Sequence, residues 1–136
     1  MLNDAIGFTA THAYDNRYYS GDIVEFNDNV TNIGNNYDPS NHTFTCPIKG
    51  MYLFSVSVLS DSQDYDSDLA IMKDNVVLID VYVHAYSYDY IYTSASAVIV
   101  VECDIGEHVY VQATGNAYID GDFDSSHFSG ALIQRL

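Results

Sequence analysis

The chain is poor in positive charge. Arg17, Lys49, Lys73 and Arg135 are its only cationic side chains, against 19 acidic ones, for a formal net charge of −15. Phosphate binding needs a basic surface, so this scarcity argues against nucleic acid as a partner. It argues equally against docking on anionic lipid. No apolar run approaches the roughly 18 residues of a membrane span. No basic-then-apolar leader precedes Phe8, so a secretion signal would have had to be removed. Cys46 and Cys103 are the only cysteines and neither lies in a Cys-x-x-Cys pair, which leaves zinc knuckles and thioredoxin-type sites unsupported. His12, His42, His84, His108 and His127 show no His-x-His or His-x₃-His spacing, so a local zinc site is unsupported too. There is no Gly-x-Ser-x-Gly elbow and no phosphate loop, and the chain is read as a non-enzyme.

What is present is equally uneven. Sixteen of the 19 acids are Asp, 13 residues are Tyr, and Trp is missing. Asp favours turns and Tyr favours strands, which together describe β-strands joined by Asp-rich loops. The 136 residues make one domain, from residue 1 to residue 136, and 48% of them are hydrophobic. Disordered acidic chains are poor in such residues, so a packed core is expected.

No stretch shows sustained helical periodicity, whereas period-2 alternation recurs. In Gly50 to Val58, Tyr52, Phe54, Val56 and Val58 fall on one face, with Ser55 and Ser57 on the other. Leu69 to Val83 reads as a hairpin around Lys73-Asp74-Asn75. Ala95 to Cys103 is a strand, Asp104 to Glu107 a turn, and His108 to Ala113 and Phe128 to Ile133 are further strands. Ile6 to Ala13 and Ile23 to Phe26 add two near the start. Many short strands with frequent turn signals predict an all-β sandwich or barrel. Parallel α/β folds are excluded because no crossover helices are available.

These landmarks, in order, resemble the globular head domain of the complement C1q family, within the C1q/tumour-necrosis-factor superfamily. The matching pieces are Phe8-Thr9-Ala10, Asn32 to Asp38, Phe44-Thr45-Cys46-Pro47, Gly50 to Phe54, Lys73-Asp74-Asn75, Gly106-Glu107-His108-Val109 and Phe128-Ser129-Gly130. The Asn32 to Asp38 stretch resembles C1q-domain-containing proteins of bivalve molluscs. The resemblance implies a ten-stranded jelly roll of two antiparallel sheets, assembled as a homotrimer. Tyr52, Phe54, Tyr82 and Phe128 are then expected in the core or at the trimer seam. Many family members carry a collagen-like or coiled-coil stem, and none is expected within these residues. Cys46 sits where many family heads carry a cysteine, and Cys103 sits just before the Gly-Glu turn. Both should face inward, as a disulfide or as two buried thiols.

Several residues are candidates for binding. Asp61, Asp64, Asp66 and Asp68 follow one strand, and Asp120, Asp122 and Asp124 precede the last. Clustered carboxylates attract calcium, the one cofactor this composition suggests. Leu69 and Ser125 occupy the glycine position an EF-hand requires and the closing Glu is missing, so EF-hands are excluded. The same aspartates also read as solvated turns that cap their own backbone. The apical calcium site of vertebrate heads would fall near His84 to Tyr92, where Asp89 is the only acid. Tyr82, Tyr86, Tyr88, Tyr90 and Tyr92 share one parity, so they form either a trimer contact or a ligand face. Tyr88 and Tyr90 are the better ligand candidates. Asn41 and Asn29 each open an Asn-x-Thr glycosylation sequon, which suggests a secreted, extracellular protein.

The function expected from this reading is a secreted trimeric recognition module of innate-immunity type. It would bind glycans or microbial surface patterns through loops at one end of the trimer, with calcium as a helper. The alternative is an acidic extracellular protein that binds calcium or heavy-metal ions for ion transport or biomineral control.

Overall fold

The computed structural model describes residues 5–60, 66–84, 92–121 and 125–136. Its strands are β1 (Gly7–Thr11), β2 (Asn16–Tyr18), β3 (Asp28–Ile33), β4 (Tyr37–Asp38), β5 (Thr43–Thr45) and β6 (Gly50–Ser60). They continue with β7 (Ser67–Lys73), β8 (Val76–Val83), β9 (Thr93–Cys103), β10 (His108–Ala113), β11 (Ala117–Ile119) and β12 (His127–Arg135). Ten of them form two five-stranded antiparallel sheets, β3-β1-β12-β6-β9 and β4-β5-β10-β7-β8. β2 and β11 pair separately as a short ribbon. The architecture is the jelly-roll sandwich expected from the sequence, and no helix occurs among the described residues.

Alternation builds the core. Along all 11 residues of β6, buried and half-buried positions alternate, so Tyr52, Phe54, Val56 and Val58 point between the sheets. β1 and β12 add Phe8 and Phe128, and the facing elements add Tyr37 and Phe44. Phe8 stacks on Tyr37 at 4.6 Å and meets Phe128 edge-on at 5.0 Å. Full burial of each such ring contributes about 1.5–3 kcal/mol. Gly130 makes room for them, since a Cβ there would come within 2.6 Å of both the Phe54 and the Phe8 rings. The β7–β8 hairpin turns on Asp74 and Asn75, both at positive φ (44° and 68°), as a two-residue type I′ turn requires.

One expectation changes and two others are narrowed. Ile23 to Phe26 is not a strand. It is an extended segment with one bridge, Ile23 to Gln112, whose Val24 and Phe26 are fully buried. Its backbone does bond to β10, through the Ala113 N–H on the Asp22 carbonyl and the Val24 N–H on the Val111 carbonyl, both at 2.8 Å, but only one bridge forms and no ladder follows. Of the aromatics expected in the core or at a trimer seam, Tyr52, Phe54 and Phe128 are in the core, whereas Tyr82 stands 52% exposed on the edge strand β8, between buried Val81 and Val83. Cys46 and Cys103 do face inward, as buried free thiols. The Cys46 thiol donates to the Ile48 carbonyl at 3.0 Å. Burial first, and Cys46 beside it second, push the Cys103 thiol up to about 12.

The two sheets differ on their outward sides. On the first, Leu53 lies opposite Val100 on β9 and Ala131 on β12, with Val98 and Ile133 exposed nearby. On the second, Ala70, Met72 and Tyr110 form a small buried cluster covered by Ile23.

Candidate functional site

Strand directions bring the anchors of the predicted binding segments to one end of the sandwich. β6 ends at Ser60 opposite Thr93, the start of β9, and Ser57 lies opposite His127, the start of β12. β7 begins at Ser67 opposite Val83, the end of β8. The connections β6–β7, β8–β9 and β11–β12 therefore all leave from this end. Their anchors are tied together. The Leu59 N–H donates to Ser126 Oγ at 2.9 Å, the Asp120 N–H to the Leu59 carbonyl at 2.8 Å, and the Tyr118 N–H to Ser67 Oγ at 2.9 Å.

The predicted metal ligands divide into two groups. Asp61, Asp64, Asp89, Asp122 and Asp124 lie outside the described residues, as do Tyr88 and Tyr90. Asp66, Asp68 and Asp120 are described and do different things. Asp66 accepts a hydrogen bond from the Tyr82 hydroxyl and lies 3.0 Å from His84 Nδ1. The Asp66 carboxylate raises the Tyr82 hydroxyl pKa, chiefly through that hydrogen bond. Asp68 accepts from the Thr114 hydroxyl at 3.0 Å. Asp120 is fully buried. No cluster of three or more His, Cys, Asp or Glu suited to a metal occurs among the described residues.

The tyrosine face is described only at its ends, where Tyr82 and Tyr92 are each about half exposed. Asn41 is exposed in the β4–β5 turn and Asn29 is exposed as the second residue of β3, opposite Ala10.

The structure adds two features that the sequence reading passed over. The first is a cleft over the β2–β11 ribbon, about 200 Å³, lined by Arg17, Tyr19, Asn116, Ala117 and Tyr118. One of only four cations, set next to two tyrosines in Asn16-Arg17-Tyr18-Tyr19, was the available signal. The second is His12, fully buried, with Nε2 2.6 Å from the Tyr18 hydroxyl. That hydroxyl also accepts from the Glu25 N–H at 3.1 Å. Burial pushes the His12 pKa down to about 4. A histidine in an alternating strand end carries no sequence mark of burial.

Two five-stranded antiparallel sheets in this order define a jelly-roll sandwich. The C1q domain family matches residues 7–133, and the chain belongs to that family. It is similar to a human complement C1q subcomponent subunit, 26% identical over 129 residues, which cover 94% of this chain and 50% of that protein. The chain thus spans about half the length of this relative. Among solved structures, the globular domain of zebrafish complement 1qA matches with a TM-score of 0.76 at 17% identity, covering 96% of this chain and 99% of that one. Eiger TNF from S. frugiperda matches at 0.77 and 12% identity, covering 97% and 93%, and murine APRIL at 0.77 and 12%, covering 96% and 100%. Domains of these families form homotrimers, and C1q-domain proteins are typically extracellular, non-enzymatic recognition proteins. No helix among the described residues is long and apolar enough to cross a membrane.

Proposed function

We propose that this chain is the homotrimeric head of a secreted recognition protein of innate-immunity type, binding glycans or microbial surface patterns through the loop end of its trimer. The observation that carries this reading is C1q family membership joined to an open apolar face on the first sheet. Exposed Val98, Val100 and Ile133 on that face suit burial by two further copies. Three copies would present three loop ends side by side. Single-site affinity would be weak, and avidity would raise it where ligand spacing matches. The field of a −15 protein favours neutral sugars over polyanions unless a cation bridges them. Calcium is the proposed helper, with Asp66 and the loop aspartates as its donors. Asn41, exposed in its turn, is the better of the two proposed glycan attachment sites.

The charge favours a second reading, an extracellular binder of calcium or heavier divalent ions. One experiment separates the two. The purified protein is tested on a panel of glycans and bacterial polysaccharides in calcium and then in chelator, with a parallel calcium titration by calorimetry. Saturable sugar-specific binding supports the recognition module, and its loss in chelator supports a calcium bridge. Many weak calcium sites with no sugar binding on the panel would reject the recognition reading in favour of the ion binder.

A further inference from the structure

We infer that the cleft on the β2–β11 ribbon is a metal-independent subsite for one neutral sugar ring, stacked on Tyr19 and hydrogen-bonded by Arg17 and Asn116. This rests on the proposed glycan reading and assigns it a second contact, away from the acidic loops.

The ribbon explains the placement. Antiparallel pairing sets Arg17 directly opposite Tyr118. Strand side chains alternate, so Tyr19, two residues beyond Arg17, and Asn116, two before Tyr118, fall on the same side. All four line the cleft. Tyr19 is 60% exposed, yet its backbone is fixed. Its N–H donates to Asp22 Oδ2 at 2.8 Å, the Asp22 N–H returns to the Tyr19 carbonyl at 2.9 Å, and the Gly21 N–H donates to the Ala113 carbonyl at 2.8 Å. A flat ring displayed on a fixed turn loses little conformational freedom when a ligand stacks on it.

The chemistry selects the ligand class. Arg17 brings five N–H donors in a fork, Asn116 an amide donor and acceptor, and each tyrosine a hydroxyl. That set matches adjacent hydroxyls on a saccharide, while the Tyr19 ring matches the C–H face of a pyranose. An anion is disfavoured by the net charge of −15. A cation is disfavoured as well, because the described residues of the lining include no carboxylate. Guanidinium, amide and phenol groups bond neutral hydroxyls directly, so the subsite calls for no calcium bridge. The space of about 200 Å³ suits one ring rather than a long chain. The cleft also stays clear of the open face of the first sheet, because the chain leaving β2 runs along β10 of the second, with the Val24 N–H on the Val111 carbonyl at 2.8 Å.

The test uses the full chain, first in chelator and then in calcium, titrated with methyl glycosides of glucose, galactose, mannose and N-acetylglucosamine and with their oligosaccharides. Binding is followed by calorimetry and by backbone amide shifts. The expected result is binding that survives chelator, with shifts at 17–19 and 116–118. Affinity should fall tenfold or more in Tyr19→Ala and in Arg17→Met, and remain unchanged in Ile105→Ala, which alters an exposed side chain in the turn between β9 and β10. All these positions are solvent-facing, and far-UV circular dichroism checks that each variant is folded. Saccharide binding by the parent that persists in both cleft variants, or shifts confined to other residues, would overturn the subsite and leave the glycan reading standing. Binding that appears only with calcium would do the same. A parent protein that binds no saccharide in chelator or in calcium would overturn both.

Discussion

On the outward side of the first sheet, Val98 and Val100 stand more than half exposed. On the outward side of the second, Ala70, Met72 and Tyr110 are buried. Both faces are apolar strips on strands of a five-stranded sheet, so composition does not separate them. The difference lies in the chain between β2 and β3. It leaves the ribbon at Tyr18, turns at Gly21 and lays Ile23 over the second sheet. The second sheet is capped by its own chain, and the first is left for something else to cover. In the proposed trimer that something is two more copies, so one face carries folding and the other carries assembly.

The largest effect should come from placing the same charge on the two faces. Met72→Asp buries an unpaired carboxylate beneath the cap, which costs several kcal/mol, and the protein is expected to be largely unfolded by circular dichroism. Val100→Asp sits on an open face, so the fold should persist with a stability change of about 0.5 kcal/mol in the separated chain. Light scattering should then report monomers in place of trimers. A Val100→Asp protein that still sediments as a trimer would break the comparison.

Acid should act next, at the start of the cap. The His12 pKa is about 4 in the fold, against 6.5 for the unperturbed side chain. Between those values the unfolded chain binds the extra proton, so stability falls as pH drops from about 6.5 to 4. A shift of this size corresponds to roughly 3 kcal/mol. Above pH 6.5 both states are neutral and the contribution is complete. Urea midpoints measured across this range should show the slope, and His12→Gln should flatten it. An unchanged slope in that variant would assign the acid sensitivity elsewhere.

The smallest effect lies at the far edge of the capped face. Asn75 holds the Tyr110 hydroxyl, which donates to its Oδ1 at 3.2 Å, while its own N–H donates to that hydroxyl at 3.1 Å. Its φ of 68° also suits Asn or Gly. Asn75→Ala should cost about 1–2 kcal/mol, from the backbone conformation and one lost side-chain partner. Asn75→Gly keeps the turn and should cost less, and equal losses in the two variants would show that the side-chain contact dominates. Thermal melts of both variants measure the difference.

The legible parts of the fold were those where one face is buried and the other wet. β6, the β7–β8 hairpin, β9, β10 and β12 all announced themselves by alternation or by turn residues, because each strand is six or more residues long, enough for a period to register. β2, β4, β5 and β11 are two or three residues long, too short for any period to register. β3 is an edge strand, exposed at nearly every position, so it had no apolar face to show. The binding sites were less legible for a related reason. Arg17 and Asn116 are 99 positions apart in the chain, and only the pairing of two three-residue strands places them over one cleft. His12 and Tyr18 looked ordinary until their buried contact appeared.

The sequence by itself determined the class of fold, the family, the acidic surface and the identity of most core aromatics. These follow from composition, alternation and the order of local motifs, all of which act over a few neighbouring residues. Tertiary structure alone decided that Tyr82 stands outside the core, that the Ile23 segment is a cap rather than a strand, and that two outward apolar faces differ. It also decided which tyrosines share a cleft with an arginine. Each of those depends on which distant segment arrives at a surface. In an antiparallel sandwich that is set by long-range pairing, which local pattern does not encode.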